Sequence, residues 1–209
     1  MSQSQRHKRL RLLIKKLNSQ RKRQASQIDI LCNDLISAHR GFLKRLSSVS
    51  FAAEFYKNLL GDSDLRSLLV RAGRLIREEL PGTSITFFLR HPEGCRVYTV
   101  DSHHACPVED QPLEDFFTPE LVDNICKSNR LCMLDEMCCM GLEADLVELS
   151  QISAAALPLS DLGRSLGFLL LYRPASHSLK PEELHKVGLV TCGLSHAIGG
   201  CRLPLHCGE

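Results

Sequence analysis

Five residues in two separate stretches carry side chains that bind metals or haem, or react as thiols. The stretch DSHHACPVED, residues 101–110, contains His103, His104 and Cys106, and DEMCCM, residues 135–140, contains Cys138 and Cys139. Imidazole and thiolate are ligands of Zn²⁺ and of haem iron, and a thiolate is also a nucleophile. These five side chains are therefore the candidates for a ligand pocket.

The spacing of these residues does not define a metal or haem site. Structural zinc ligands usually arrive as short-spaced pairs such as Cys-x-x-Cys, which this chain lacks, and the adjacent pair Cys138 and Cys139 is a poor source of two ligands for one tetrahedral ion. No haem-attachment motif accompanies His103 or His104. We therefore expect no metal and can identify no cofactor. A redox thiol remains open, because a neighbouring histidine could lower the pKa of Cys106.

The chain has ten cysteines, a number that would suit a disulfide scaffold in a small secreted protein. The basic start, however, is not followed by the apolar stretch of a secretory signal. The longest apolar run, LGFLLLY at 166–172, is far shorter than the ~20 residues of a membrane-spanning helix. We expect a cytoplasmic protein with reduced thiols, most of which pack as small apolar side chains.

The net charge of +2 hides a basic arm at residues 1–24. This arm carries nine of the 26 Lys and Arg residues and no acid, while the rest of the chain has 17 basic and 24 acidic residues. Such an arm can be the solvated face of a helix, which is the interpretation we favour, or can bind nucleic acid or a membrane surface. It has no interleaved aromatic side chains to stack on bases.

A heptad pattern predicts that residues 1–50 form a coiled-coil helix that dimerises the chain. With Ile14 at position a and Leu17 at position d, the stripe from Ile14 to Phe42 is apolar apart from a polar layer at Arg21 and Gln24, and it is narrow, as in a coiled coil. A long helix folded back on its own domain is the alternative. The predicted dimer seam consists of Ile14, Leu17, Ile28, Leu31, Leu35 and Phe42.

The remaining chain alternates helical and strand patterns. A helical linker is expected over 51–61, after a break at SSVS, and a helix capped by Asp62 or Ser63 is expected next. The spacing of apolar residues then changes to every second residue, which predicts a β-hairpin from TSITFFLR and CRVYTV. Thr118 and Pro119 start a short helix, RLCML at 130–134 is a candidate strand, and MCCMGLEADLVEL is open between helix and loop. The last helix starts near Pro181, and the glycines at 199–200 should stop it. Its predicted apolar stripe consists of Leu184, Val187, Val190, Leu194 and Ile198.

The last part of this pattern resembles the C-terminal half of a GAF domain. The Pro-Leu step at Pro158, the Gly-x-Leu-x-Leu pattern that starts at Gly167, and the acidic helix start at Glu182 match that family. The resemblance covers residues 62–199. It implies an α+β fold, with an antiparallel sheet, flanking helices on one face of it and, on the other face, a ligand pocket walled by residues 101–148. It also implies a long helix that dimerises and relays the state of the ligand.

The resemblance sets the expected function. GAF-like domains are sensory or regulatory modules, and we expect a non-catalytic module that binds a small ligand or senses redox state, and that acts on a partner signalling protein through a homodimer. Some GAF-like enzymes reduce free methionine sulfoxide with pocket cysteines, and that activity is the alternative. The predicted organisation is a coiled-coil helix at 1–50, a linker at 51–61, the domain at 62–200 and a tail at 201–209.

Overall fold

The computed structural model describes residues 3–59, 64–100 and 112–202. It divides into two compact units, residues 1–49 and 50–209. The candidate residues His103, His104 and Cys106 lie outside the described part of the chain.

Helix α1 runs over 57 residues, Gln3–Leu59. The break expected at SSVS is wrong, because residues 47–50 are helical. The hydroxyl of Ser48 donates a hydrogen bond to the carbonyl of Lys44 one turn earlier, so this serine is accommodated inside the helix. At the end of α1, Phe55 and Leu59 are buried in the core of the second unit, to which the residues expected as a linker therefore contribute.

Five strands of the described chain form one antiparallel sheet in the order β2-β1-β5-β4-β3. The predicted hairpin is confirmed by β1 (Ser84–His91) and β2 (Gly94–Val100). The two longest strands, β4 (Ile152–Asp161) and β5 (Arg164–Pro174), form a second hairpin. Strand β5 lies at the centre, and therefore its side chains are apolar on both faces. The RLCML segment supplies only Cys132–Met133 as strand β3.

One face of the sheet, here called the helical face, is covered by helices from both ends of the second unit. These are the end of α1, helix α2 (Leu65–Glu79) and helix α6 (Pro181–Arg202). The predicted apolar stripe of α6 is confirmed, because every member of it is buried. These residues are Leu184, Val187, Val190, Leu194 and Ile198.

The opposite face, here called the lid face, is covered by short elements. They are a 3₁₀ turn at Leu113–Phe116, helix α3 (Pro119–Ser128), helix α4 (Leu134–Cys139) and helix α5 (Leu146–Leu149). The ambiguous segment MCCMGLEADLVEL thus contains two short helices and a turn. Thr118 caps α3 as predicted, with its hydroxyl accepting from the amide of Leu121.

Two predicted helix ends are wrong. The cap of α2 is Asp64, whose carboxylate accepts from the amide of Ser67 at 2.8 Å, and the predicted caps Asp62 and Ser63 lie outside the described residues. At its C-terminal end, helix α6 does not stop at the two glycines but continues through Gly199 and Gly200 to Arg202. A β-carbon at Gly199 would lie 3.3 Å from the Asp161 carboxylate, so glycine there allows a close approach and does not stop the helix.

Candidate functional site

The lid face is built on an aromatic stack. Phe88 of β1 and Phe168 of β5 are direct neighbours across the two strands, and their rings lie nearly parallel with centroids 4.6 Å apart. Phe117, which follows the 3₁₀ turn, contacts both rings, at 4.9 and 5.9 Å. Stacking of this kind adds to the apolar burial of large rings. It positions the start of the lid over the middle of the sheet.

A polar cluster centred on Glu114 lies on the same face. The buried hydroxyl of Tyr172 donates to Glu114 Oε2 at 2.7 Å, and the hydroxyls of Thr86 and Thr99 donate to Oε1 at 3.3 and 3.4 Å. The donors come from β5, β1 and β2. Hydrogen bonds to a carboxylate are stronger than neutral ones. One side chain of the 3₁₀ turn is therefore fastened to three strands.

The environment of Tyr172 keeps its phenol protonated. Burial is the main cause that raises the pKa of Tyr172, and the hydrogen bond to the Glu114 carboxylate and the charge of that carboxylate raise it further. A phenolate at this position would be desolvated and would face a negative oxygen. The phenol is thus a fixed hydrogen-bond donor at ordinary pH.

The two adjacent cysteines of α4 do not share a site. Cys138 packs at the edge of the lid-face core, whereas Cys139 is exposed. Burial, followed by the charges of Asp135 and Cys139, raises the pKa of the Cys138 thiol, and burial also raises the pKa of Cys126 on α3. Raised pKa values keep these two thiols in the protonated form, which is the less reactive one.

The predicted seam residues of α1 are all exposed in the single chain. Their exposed fractions run from 52% at Ile14 to 71% at Leu35. The first unit therefore has a long apolar stripe that is exposed among the residues that the structure describes.

In residues 3–59, 64–100 and 112–202 no three His, Cys, Asp or Glu side chains converge as a metal site. No helix within those same ranges is long and apolar enough to cross a membrane.

The fold of this chain is similar to that of solved GAF-domain structures. No family model and no curated protein matches the sequence. Among solved structures, the GAF domain of a phosphoenolpyruvate-protein phosphotransferase from Coxiella burnetii aligns with a TM-score of 0.56 at 15% identity, covering 75% of this chain and 95% of that one. A putative GAF sensor protein from Burkholderia vietnamiensis aligns with a TM-score of 0.53 at 13% identity, covering 77% and 99%.

A third similar structure is fRMsr of Staphylococcus aureus in complex with substrate. Its TM-score is 0.54 at 9% identity, and the match covers 72% of this chain and 95% of that one. At these identities the likeness defines the fold alone. The class is α+β, an antiparallel sheet with flanking helices, and the particular fold is that of a GAF domain, with the long helix α1 ahead of it.

Glu114 and Tyr172 were not predicted as site residues. Tyr172 belongs to a strand whose apolar pattern indicates only core, and Glu114 lies in a polar, proline-punctuated segment with no periodicity. The sequence pattern that could have indicated Glu114 is the acid pair Glu114 and Asp115 between Leu113 and Phe116. This pattern does not predict which of the two acids faces the sheet. Only the register of the strands brings the three donors to one carboxylate.

Proposed function

We propose that the chain is a non-catalytic sensory or regulatory module that signals through a dimer of helix α1 to a partner protein. A small ligand or a redox event at the lid face shifts the module between two states. The states differ in how the lid segment sits on the sheet and in how the paired helices pack. The partner protein reads the packing of the helices.

The observation that carries this proposal is the exposed stripe of α1. Ile28, Leu31 and Leu35 repeat with heptad spacing, and each is more than half exposed in the single chain. Large aliphatic side chains at such spacing are typical of a helix that pairs with a second copy. A stripe that long left in water would be an aggregation hazard, and pairing removes it.

The lid face supports the sensory part of the proposal. Glu114 holds the 3₁₀ turn to three strands through a few polar contacts, while helix α3 packs by apolar contact and by an ion pair of Asp123 with Arg90 of β1 at 2.8 Å. A ligand that competes for the carboxylate, or for its donors, would release or tighten that turn. The candidate ligand contacts His103, His104 and Cys106 precede the same turn in the sequence.

The thiol chemistry of the lid face favours a non-catalytic module. A cysteine nucleophile needs a lowered pKa, but the pKa values of Cys138 and Cys126 are raised. Cys139 is exposed and lies on a different side of α4 from the packed Cys138. These positions provide no pair of activated thiols.

The second candidate function is a thiol-dependent reductase. The fold likeness to fRMsr from Staphylococcus aureus favours it. The test is turnover of free methionine sulfoxide by the purified wild type, followed by single serine substitutions of Cys106, Cys138 and Cys139. A wild type without turnover rejects this candidate, whereas turnover abolished by one of the substitutions would replace the non-catalytic proposal.

Native mass spectrometry of the full chain tests the proposal. We expect a complex of twice the 23.4 kDa chain mass, with an additional small-molecule mass that is lost on denaturation. A single 23.4 kDa chain at micromolar concentration would contradict the dimer. A dimer without added mass, and without a response to oxidant, would contradict the sensory role.

A further inference from the structure

The first part of helix α1 has a strongly basic side, and its apolar side shares only Ile14 and Leu17 with the predicted dimer seam. Between residues 8 and 17, five cations share one side of the helix. They are Lys8, Arg9, Arg11, Lys15 and Lys16. At 100° per residue they occupy an arc of about 160°, opposite an apolar stripe about 100° wide. The apolar stripe consists of Leu10, Leu13, Ile14 and Leu17, and a fifth apolar residue of the segment, Leu12, lies within the basic arc.

The structure leaves both sides of this segment uncovered. Each of the four apolar side chains is more than half exposed, and all five cations are exposed. The first acidic residue of the sequence is Asp29, so no nearby carboxylate along the helix neutralises the segment. A helix with one apolar side and one strongly basic side is typical of binding to a membrane surface.

A second copy of the chain is a poor partner for this segment. Beyond it lies the polar layer of Arg21 and Gln24, which interrupts the apolar seam. In a parallel pair, Arg21 would face its own copy across helix axes about 8–10 Å apart, a separation close to the Debye length at physiological salt. Like charges therefore oppose pairing here, while the stretch from Ile28 to Phe42 lacks this concentration of charge.

A partner of this segment has to neutralise the cations and also bury the apolar side chains. A nucleic acid would pair with the cations but would leave the four apolar side chains in water. An anionic bilayer surface buries the apolar stripe at the level of the acyl chains and neutralises the cations with headgroup phosphates and carboxylates. We propose that residues 8–17 form an amphipathic helical segment that binds a membrane surface rich in anionic lipid.

This inference goes beyond the proposed function and does not depend on it, because one helix suffices for binding. On the bilayer, Ile14 and Leu17 enter the lipid, and pairing of two chains is carried by Ile28 to Phe42. A dimer would bind with two segments and therefore with higher avidity.

Vesicle flotation of the full chain is the first test. We expect the protein to float with vesicles of phosphatidylcholine containing about 30% phosphatidylserine, to stay behind with phosphatidylcholine alone, and to be released as salt rises. Protein that floats with neither kind of vesicle would overturn the proposal. Salt-sensitive binding to a 30-base-pair DNA duplex, without flotation, would replace the lipid with nucleic acid.

A tryptophan reporter tests the depth of binding, since the natural chain has no tryptophan. Leu13→Trp lies on the apolar stripe but outside heptad positions a and d, and its emission should shift to the blue on the anionic vesicles. Gln27→Trp is the matched control, because it has the same heptad position two repeats later and should not shift. Unchanged emission of Leu13→Trp on vesicles that do bind the protein would exclude insertion.

Two variants separate charge from apolar contact. The triple change Lys8→Gln, Arg11→Gln and Lys15→Gln should weaken binding to anionic vesicles by about 100-fold, at about fivefold per cation. Leu13→Gln keeps every charge and should weaken it by about tenfold. Binding that falls with the triple variant but not with Leu13→Gln would contradict an amphipathic mode.

Discussion

The two faces of the central sheet are covered in different ways. On the helical face, long helices pack apolar side chains against the strands, and the predicted stripe of α6 is buried throughout. On the lid face, a 3₁₀ turn and three short helices cover an aromatic stack, and a carboxylate with three hydroxyl donors lies beside it. The long helices of the helical face are held by apolar packing along their length.

The difference indicates that the two faces of the sheet resist displacement unequally. Apolar packing between long helices and strands is stabilising and hard to shift by small amounts. A short turn held by a few polar contacts can be displaced at a lower free-energy cost, as ligand-responsive segments require. In the proposed function, the helical face is the scaffold and the lid face is the part that responds to a ligand or to a redox change.

The largest expected effect comes from a matched pair on β5. Leu170 and Leu171 are both 0% exposed, but Leu170 faces the lid and Leu171 faces the helices. We expect Leu171→Ala to lower the free energy of unfolding by about 4 kcal/mol and Leu170→Ala by about 2–3 kcal/mol, because the short lid elements can move into the cavity. Urea unfolding of both variants measures this, and the reverse order would remove the distinction between the faces.

The next effect concerns the polar cluster. Glu114→Ala leaves the buried hydroxyls of Tyr172 and Thr86 without their acceptor, and should cost about 2 kcal/mol of unfolding free energy. Asp115→Ala, next to it and exposed, is the control and should stay within about 0.5 kcal/mol of the wild type. Thermal unfolding compares the two. Equal losses would mean that Glu114 does not fasten the lid.

A smaller effect should appear at alkaline pH. Because the folded pKa of Tyr172 is raised, the folded state keeps a proton that the unfolded state releases above about pH 10, so stability is full below pH 10 and falls as the pH rises. Tyr172→Phe should cost about 1 kcal/mol at pH 7, and this deficit should vanish near pH 11. Urea unfolding at both pH values measures it, and a deficit that grows with pH would contradict the assigned environment.

The smallest effect separates the two cysteines of α4. Cys139→Ser should change the free energy of unfolding by less than about 0.5 kcal/mol, and Cys138→Ser, which packs on the core, should cost about 1 kcal/mol. In iodoacetamide labelling followed by peptide mass mapping, Cys139 should react before Cys138 and Cys126. Labelling of Cys138 before Cys139 would favour the reductase, the second candidate function.

Periodicity predicted the elements that bury a stripe or a face. The hairpin of β1 and β2, the central strand β5 and the stripe of α6 follow directly from periods of 2 and 3.6 residues. Helix ends were less predictable. Gly199 and Gly200 carry a stop signal that tertiary packing overrides, because a glycine lets α6 pass close to Asp161.

The candidate site was harder to predict than the fold. Cys138 and Cys139 are adjacent in sequence, and only the helix geometry of α4 sends one to the core and the other to solvent. The cluster around Glu114 depends on strand register and on a long-range contact with Tyr172, 58 residues away, which no local pattern encodes. The predicted coiled coil remains a prediction.

Sedimentation equilibrium of the full chain tests the central claim, dimerisation through α1. The wild type should be a dimer at micromolar concentration, and changing Ile28, Leu31 and Leu35 to Asn should make it monomeric. The matched control changes Ile30, Ile36 and Leu43, which are exposed apolar residues outside positions a and d, and it should remain dimeric. A monomeric wild type, or equal behaviour of the two triple variants, would contradict the claim.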